Sequence, residues 1–506
     1  YGDGELPDDA VVDVYTGVSL DGTLTYTESW VEYQYDEDTG ILIGAIGGSR
    51  TWGEDIFSNG YFTETKDDYT VINGQAKKTH VYSITDSSSL DGGLSHTEGD
   101  VWYEYTDGTE DPVGLDDEYL DDQGNIVIGL LKGAKGESIT TGEDIFGGTY
   151  STTTVDEYKI IAGEAKVWRS ESTTQSTDIY GAKANSSSVT IYSYTDGTET
   201  ADELPEFYLI EDVNGNKTID PEYLDDNGNI KAGLLKYVEG EGNSEGEDIF
   251  GGAYETTTTN TYTIFDGKAK VLSAHTVTTS QNIDGGTSAT HSYVYYEYST
   301  RDNPYTDVNT GREGIGVIIG ARGNSEGTGQ DIFGSVYTTT STEVYAIFGG
   351  YAKVISAESI TTHLDSFGTL SEQTQRTEYT YTNEIETLTV DGKARKIIGR
   401  LEKVITYNSS GGSDIFGGEW LTLQEGSYGL EYTLDTYGGK EALIARLSTD
   451  PADFNDLITQ GLDIFGNTTD TLAHNNYAVF EGKAYVTDSV STTTSVDVFG
   501  AASISV

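Results

Sequence analysis

The sequence predicts an all-β protein built from tandem β-hairpin repeats. The first observation is a short signature, Asp-Ile-Phe, which Gly follows in every full copy but the first. Full copies start at Asp55, Asp144, Asp248, Asp331, Asp414 and Asp463, and degenerate copies start at Asp21, Asp91, Asp178, Asp284, Asp365 and Asp497. The second observation is that Thr, Ser or charged residues alternate with Val, Ile or Tyr between the signatures, as in half-buried strands. Such regular spacing is typical of a linear array of similar units.

The signature itself has the composition of a turn. Asp forms turns by accepting hydrogen bonds from nearby backbone N–H groups, and Gly tolerates positive φ. We therefore interpret the signature as the corner between two hairpins, with its Phe packed in the core. The alternative is a ladder of cation sites made by the aligned Asp side chains.

A first type of hairpin follows five of the full signatures. Each copy has an aromatic residue, a short apolar strand, a turn that ends in Gly, and Ala-Lys-Val or a close variant. The copies span 69–77, 158–167, 262–271, 345–354 and 477–486, and their turn glycines are Gly74, Gly163, Gly267, Gly350 and Gly482. These glycines supply the backbone freedom that a tight hairpin turn requires.

A second type of hairpin alternates with the first. Its first strand is aromatic, as in 102–105 and 293–298, and its second strand starts with a short apolar run at 129–131, 233–235 or 316–319. The alternation breaks near the C-terminus, because 49 residues separate Asp414 from Asp463. Thr runs at 152–154, 256–259, 338–340 and 492–494 occupy equivalent places, which predicts cross-strand Thr pairs.

The expected architecture is an elongated array of hairpins or a set of packed sandwich-like lobes, with a β-propeller as the alternative. The predicted segments are a half hairpin at 1–20, repeats at 21–143, 144–247 (with an acidic insertion) and 248–364, irregular repeats at 365–496, and an unpaired strand at 497–506. Both terminal segments match half of a hairpin. A half hairpin leaves one strand edge unpaired, and such an edge can pair with a strand of another chain.

Composition narrows the range of partners. The 506 residues include 85 acidic and 28 basic side chains, a formal net charge of -57, and no Cys or Met. This charge argues against nucleic acid as a partner and favours divalent cations. No apolar run is long enough to cross a bilayer, so we expect no membrane insertion. With neither a signal peptide nor an initiator Met, we expect a processed extracellular or cell-surface chain, or an excerpt of a longer one.

One loop has the spacing of calcium ligands. Oxygen-bearing side chains stand at alternate positions: Asp212, Asn214, Asn216, Thr218 and Asp220. Over these nine residues the loop resembles an EF-hand or dockerin-type calcium loop. It has Lys217 where the EF-hand has Gly, and Tyr223 where the EF-hand has a bidentate Glu. The resemblance implies a calcium site with these five residues as ligands, and no other cofactor is expected.

Enzyme function is not expected. The 6 His residues are scattered, a Cys nucleophile is absent, and no Gly-x-Ser-x-Gly motif or phosphate-binding loop occurs. The expected function is a structural subunit of an extracellular filament, sheath or surface layer. Copies would join head to tail into a homopolymer by β-strand addition. The alternatives are the shaft of a cell-surface adhesin that contacts glycans, and a calcium-binding matrix protein.

Overall fold

The fold is described from a computed structural model. The structure describes residues 11–18, 24–54, 59–88, 93–113, 115, 117–144, 147–211, 215–248, 251–306, 313–348, 351–382, 386–390, 393–397, 401–413, 419–437, 440–448, 456–462, 467–480, 483–496 and 501–505. The chain divides into two compact units. The first comprises 1–55, 59–244 and 259–272, and the second comprises 56–58, 245–258 and 273–506.

Strands account for almost all regular structure. The first unit contains β1 Val11–Val18, β2 Leu24–Tyr35, β3 Leu42–Glu54, β4 Gly60–Ile72, β5 Gln75–Ser88, β6 Leu94–Tyr105, β7 Leu131–Glu143, β8 Thr149–Ile161, β9 Glu164–Thr177, β10 Lys183–Tyr194, β11 Leu209–Glu211 and β12 Lys217–Ile219. Strands β13 Leu235–Glu247, β14 Ala253–Phe265 and β15 Lys268–Gln281 contribute residues to both units.

The second unit contains β16 Thr287–Tyr298, β17 Tyr305–Thr306, β18 Glu313–Gly314, β19 Ile318–Gln330, β20 Val336–Phe348, β21 Tyr351–Leu364, β22 Leu370–Tyr381, β23 Glu386–Val390, β24 Lys393–Ile397, β25 Leu401–Ser413, β26 Glu419–Tyr437, β27 Lys440–Ser448, β28 Asp456–Leu462, β29 Thr468–Phe480, β30 Lys483–Val496 and β31 Ala502–Ser505. The helical segments among the described residues are short 3-10 turns at Asp117–Tyr119, Ala201–Glu203, Glu206–Tyr208 and Pro221–Tyr223.

The predicted all-β hairpin array is confirmed. A single antiparallel sheet takes in 25 strands, and three small hairpins (β11–β12, β17–β18 and β23–β24) lie in the segments between its strands. In the first unit, β1 to β9 each pair with the next strand in sequence, which gives a ladder of ten strands from β1 to β10. Ten strands in one ladder are incompatible with the four-stranded blades of the propeller alternative. The described residues also contain no second large sheet of the kind that a sandwich needs.

The second unit explains the break in the repeat spacing. Strand β26 is 19 residues long and pairs with β25 on one side. On its other side, Glu419 to Gln424 pair with β28, whereas Gly429 to Tyr437 pair with β27. The additional residues between Asp414 and Asp463 therefore extend one strand into a further hairpin and do not add a regular repeat.

The turns of the first hairpin type have the predicted chemistry. Ile72 pairs with Gln75, so only Asn73 and Gly74 form the loop, and both have positive φ (51° and 73°). The pairs Ala162–Gly163 and Asp266–Gly267 have the same conformation. This is the two-residue turn whose twist matches that of the flanking strands. The predicted turn glycines Gly350 and Gly482 lie outside the described residues.

Each repeat also carries β-bulges beside a tyrosine. The register shifts between Asp68 and Tyr69, Glu157 and Tyr158, Val344 and Tyr345, and Asn476 and Tyr477. A bulge locally disrupts the backbone ladder. Tyrosines of the following strand donate their hydroxyls to carbonyls at these bulges: Tyr105 to Lys78 (2.9 Å), Tyr194 to Val167 (2.8 Å) and Tyr381 to Val354 (3.0 Å).

One face of the sheet carries rows of hydroxyl groups. Cross-strand Thr hydroxyls lie 2.7–3.1 Å apart in eight pairs: Thr27–Thr51, Thr63–Thr85, Thr97–Thr140, Thr152–Thr174, Thr256–Thr278, Thr258–Thr276, Thr339–Thr361 and Thr471–Thr493. The predicted cross-strand pairing of threonines is thus confirmed. Each such pair stabilises two neighbouring strands in register.

Aromatic rings cover glycines on the same face. Gly142 pairs with Tyr150, and a Cβ at Gly142 would overlap the ring of Tyr150. The pairs Gly53–Tyr61, Gly246–Tyr254 and Gly329–Tyr337 repeat this contact. The glycine is therefore required by close packing, because its φ is not in the positive range.

The apolar core is small and lies at the insertions that follow β6 and β10. A cluster of Tyr208, Leu235, Val238 and Ile264 is buried beside the 195–234 insertion. A buried hydroxyl closes this insertion: Thr195 donates its hydroxyl to the Lys231 carbonyl (2.7 Å) and accepts from the Leu234 N–H (2.9 Å). Thr106 and Ser299 make the equivalent bonds in other repeats.

Replacing Thr195 by Val should destabilise the first unit by about 1–3 kcal/mol, because a buried N–H and a buried carbonyl lose their partner. Thr195→Ser keeps the hydroxyl and is the matched control. Urea unfolding followed by tryptophan fluorescence measures the difference. Equal stability of the Val and Ser variants would contradict this role of the hydroxyl.

Replacing Gly142 by Ala should cost about 1–3 kcal/mol, because the new methyl group displaces the Tyr150 ring. In a Tyr150→Thr background the same substitution should cost much less. A double-mutant cycle from thermal or urea unfolding measures this coupling. Additive effects of the two substitutions would show that the ring and the glycine do not depend on each other.

Candidate interaction surfaces

The predicted calcium loop is only partly described. Asp212 and Asn214 lie outside the described residues. Thr218 belongs to β12, where it pairs with Ile210. Asp220 caps the 3-10 turn Pro221–Tyr223, and its Oδ1 accepts a hydrogen bond from the Glu222 N–H (3.1 Å). Calcium binding by these five residues, Asn216 included, therefore stays a prediction.

Several carboxylates of the insertions make hydrogen bonds and ion pairs that stabilise the insertions themselves. Glu110 accepts hydrogen bonds from the N–H groups of Asp107 and Gly108 and forms an ion pair with Lys132 (2.7 Å). Glu199 and Lys236 repeat this arrangement at 2.8 Å. The Lys132 ammonium and the neighbouring N–H groups lower the pKa of Glu110 to about 2. These carboxylates thus fix the first turn of each insertion.

The aspartates of the signature close turns, as predicted. Oδ1 of Asp331 accepts from the N–H groups of Phe333 (2.8 Å) and Ser335 (2.9 Å). Oδ1 of Asp365 accepts from Phe367 and Thr369, both at 2.8 Å. Hydrogen bonding from Thr369 lowers the pKa of Asp365. Asp144, Asp178 and Asp248 make corresponding bonds.

The aromatic residues of the signature do not pack in the core where the structure describes them. Phe333 is 73% exposed and Phe367 is 79% exposed. The expectation of a buried Phe is therefore wrong at these two positions. The reason is geometric, since a turn closed by the Asp side chain projects its second and third residues beyond the strand ends. Ile179, Tyr180, Ile283 and Ile332 are exposed at equivalent turns.

Neighbouring turns of the second unit lie side by side. Thr287 pairs with Gln330, which places the turns at 282–286 and 331–335 side by side. A Cβ at Gly285 would lie 3.5 Å from Cγ2 of Ile332, and one at Gly251 would lie 3.6 Å from Cδ1 of Ile283. We call Ile283, Ile332, Phe333 and Phe367 the apolar turn row. Contiguous exposed apolar side chains of this kind are typical of interaction surfaces.

The first and last strands are the outer strands of the ladder among the described residues. Strand β1 pairs with β2, and its other edge has no partner in the described part of the chain. Strand β31 pairs with only four residues of β30, Thr493 to Val496. Val14 and Tyr15 of β1 are 59% and 68% exposed, and Ile504 of β31 is 71% exposed.

Two histidines bridge carboxylates across the strands of the first unit. His80 places Nδ1 3.1 Å from Asp68 and Nε2 2.7 Å from Asp100, and its ring stacks on Trp102. His96 lies between Asp86 (2.7 Å) and Glu98 (3.3 Å). Because carboxylates only accept hydrogen bonds, the doubly protonated imidazolium satisfies both contacts.

The charged neighbours shift both imidazole pKa values upward. Burial by itself lowers the pKa of His80, but hydrogen bonds and charge from Asp100 and Asp68 outweigh it and raise the pKa. Hydrogen bonds that His96 donates to Asp86 and, second, to Glu98 raise the pKa of His96. Protonation therefore strengthens the link that His80 makes between β4, β5 and β6 and the link that His96 makes between β5 and β6.

None of these histidine bridges was predicted from the sequence. Asp68 and Asp100 stand on the two strands beside His80, and Asp86 stands on the strand beside His96, so the register of β4, β5 and β6 brings these partners together. Glu98 stands on the same strand as His96, two residues along. The alternation of side chains along a strand indicates which residues share a face, but strand alignment decides which of them meet.

Among the described residues, no helix is long and apolar enough to cross a membrane. No protein-family model matches the chain, and no curated protein sequence matches it. Any functional assignment must therefore come from the surfaces described above.

Because the pKa values of His80 and His96 are raised in the folded protein, their contribution to stability is complete below the unfolded pKa of about 6.5 and is lost as pH rises through the folded values. We expect each bridge to contribute roughly 0.2–1 kcal/mol, since both are partly solvated. Thermal unfolding between pH 6 and pH 9 measures this loss. In a variant carrying both His80→Gln and His96→Gln, stability should fall less between pH 6 and pH 9. An unchanged fall in stability would contradict the assignment.

Proposed function

We propose that this chain is a structural subunit of an extracellular filament, sheath or surface layer, and that copies join head to tail by β-strand addition. The observation that carries the proposal is the pair of outer strands, β1 and β31, whose outer edges have no partner among the described residues. Backbone N–H and C=O groups along such an edge are a ready template for another strand.

The composition of the outer strands supports the proposal. Monomeric proteins protect their edge strands with Lys, Pro or other charged residues. Strand β1 has the sequence VVDVYTGV, with one acidic residue and no Lys or Pro, and β31 has the sequence ASIS. These strands therefore lack the usual barriers to edge-to-edge pairing, and their exposed apolar residues gain from being covered.

Head-to-tail addition fits the repeat order. In the first unit, β5 and β6 are antiparallel neighbours, and the sequence between them carries the degenerate signature that starts at Asp91. Strand β1 pairs with β2 as β5 does with β6, and β31 pairs with β30 as β6 does with β5. The free edge of β1 corresponds to the edge of β5 that pairs with β4, and the free edge of β31 corresponds to the edge of β6 that pairs with β7. A junction between β31 of one copy and β1 of the next would therefore use two edges of kinds that pair elsewhere in the ladder. A contact between two different edges does not close on itself, so it generates a filament.

The apolar turn row supports packing between filaments. Its side chains recur at the strand ends, so two copies can match them over a length of several strands. Strands in a sheet are spaced by about 4.8 Å, and turns two strands apart therefore repeat at roughly 10 Å. A regular apolar row of this kind suits the lateral contacts of a sheath or a surface layer.

The net charge of -57 opposes this association unless cations screen it. Divalent cations are accordingly proposed as partners, and calcium at the 212–220 loop is one form of this proposal. The adhesin alternative uses the same repeat architecture but leaves the outer edges free and places exposed tyrosines against glycans. The open edges favour assembly over this alternative.

Electron microscopy and sedimentation of the full chain at physiological salt, with and without calcium, test the proposal. Filaments are expected for the unmodified chain. Deleting residues 501–506, or substituting Val14→Lys together with Tyr15→Lys, should raise the concentration needed for assembly at least tenfold. Ile139→Lys together with Val155→Lys, at exposed positions of the interior strands β7 and β8, is the charge-matched control and should leave assembly intact.

Two results would overturn the proposal. Long filaments from the deletion variant would show that β31 does not make the junction. Monomers of the unmodified chain under all conditions, with binding to a glycan array, would favour the adhesin shaft instead. Thermal unfolding of each variant shows whether a loss of assembly reflects a loss of folding.

A further inference from the structure

A pair of histidines on one face of the second unit has no role in the assembly described above. His275 lies on β15 and His291 lies on the neighbouring strand β16. Nε2 of His275 and Nδ1 of His291 face each other at 3.5 Å. The His275 ring also stacks on Tyr293, with centroids 4.3 Å apart and planes within 1° of parallel. The strand pairing and this stack hold the two imidazoles together.

The separation of the two nitrogens suits a shared metal ion. Imidazole nitrogens bind Zn²⁺ at about 2.0–2.1 Å, so two of them on a tetrahedral centre stand roughly 3.3–3.4 Å apart. The planes of the two rings lie 16° apart and their centroids 5.7 Å apart, so the imidazoles must rotate to direct both lone pairs at one ion. Each ring then keeps its proton on the nitrogen that faces away, and no net proton release is required from the neutral pair.

A third ligand stands opposite His291. The register of β16 and β19 pairs His291 with Glu326, so both side chains project from the same face. Glu326 is exposed and can turn towards the imidazoles. The described residues hold no preformed cluster of three or more ligands. The carboxylate must therefore rotate to complete the site, with water as the fourth ligand.

We propose that His275, His291 and Glu326 form a binding site for a divalent transition-metal ion of the Zn²⁺ or Cu²⁺ class. Imidazole nitrogen selects these ions over calcium and magnesium, which prefer oxygen. The strongly acidic chain raises the local concentration of cations. The other described histidine bridges differ, because His80 and His96 each face two carboxylates and no second imidazole.

The test uses Cu²⁺ and Zn²⁺ alone as probes on the full chain, after chelator treatment and in excess Mg²⁺, which occupies the many carboxylates. Isothermal titration should show one tight equivalent, and electron paramagnetic resonance of the Cu²⁺ form should show coupling to two nitrogens. His275→Gln and His291→Gln should each weaken binding at least tenfold and remove the two-nitrogen signal. Glu326→Gln should weaken binding several-fold, and His363→Gln is the control that should change neither.

The proposal is wrong if the unmodified chain lacks the two-nitrogen signal. It is also wrong if a variant carrying both His275→Gln and His291→Gln keeps that signal. Thermal unfolding in chelator, compared between the variants and the unmodified chain, separates a lost ligand from a lost fold. Because neither histidine belongs to β1, β31 or the apolar turn row, filament formation by the same variants reports independently on the proposed function.

Discussion

Hydrogen bonding between neighbouring strands is the interaction on which the rest of this protein depends. Among the described residues, the fully buried apolar side chains are few and concentrate near the insertions. A strand in this sheet therefore gains most of its stability from the two strands beside it. Stability of that kind is approximately a sum of nearest-neighbour terms, as in repeat proteins. Among the described residues, the outer strands β1 and β31 have one partner each, which is why the proposed assembly is placed there.

The side chains reinforce this ladder locally. Thr pairs fix the register, tyrosine rings cover glycines on the next strand, and tyrosine hydroxyls satisfy carbonyls at the bulges. None of these contacts requires a second layer of structure. Each recurs with the repeat because each joins only adjacent strands. A sheet built in this way can present functional groups on its faces, its strand ends and its edges without disturbing a central core.

Charge has two roles in this arrangement. Many carboxylates are structural, since they accept backbone N–H groups in the signature turns and in the insertions. The remaining negative charge keeps the exposed faces solvated and limits association between sheets. Histidines occur where the strand register brings carboxylates or a second imidazole together. Protons can therefore act on the sheet at specific points along the ladder, and the proposed metal site would add a further such point.

The sequence by itself determined the fold class, the positions of the hairpins and the role of the signature aspartates. Period-two alternation, Asn-Gly-type turns and short-range Asp hydrogen bonds are local properties, and local properties can be read from one segment at a time. The sequence also located the irregular segment between Asp414 and Asp463, although the long strand β26 that explains it depends on two different partners.

Only the tertiary structure decided which residues meet across strands. It placed Phe333 and Phe367 at the surface, assigned Thr195 to a buried turn, and brought His275 beside His291. These outcomes depend on register, and a shift of one residue would move every side chain of a strand to the opposite face. Sequence patterns specify how a strand alternates. The pairing of each strand with its neighbours specifies what its side chains touch.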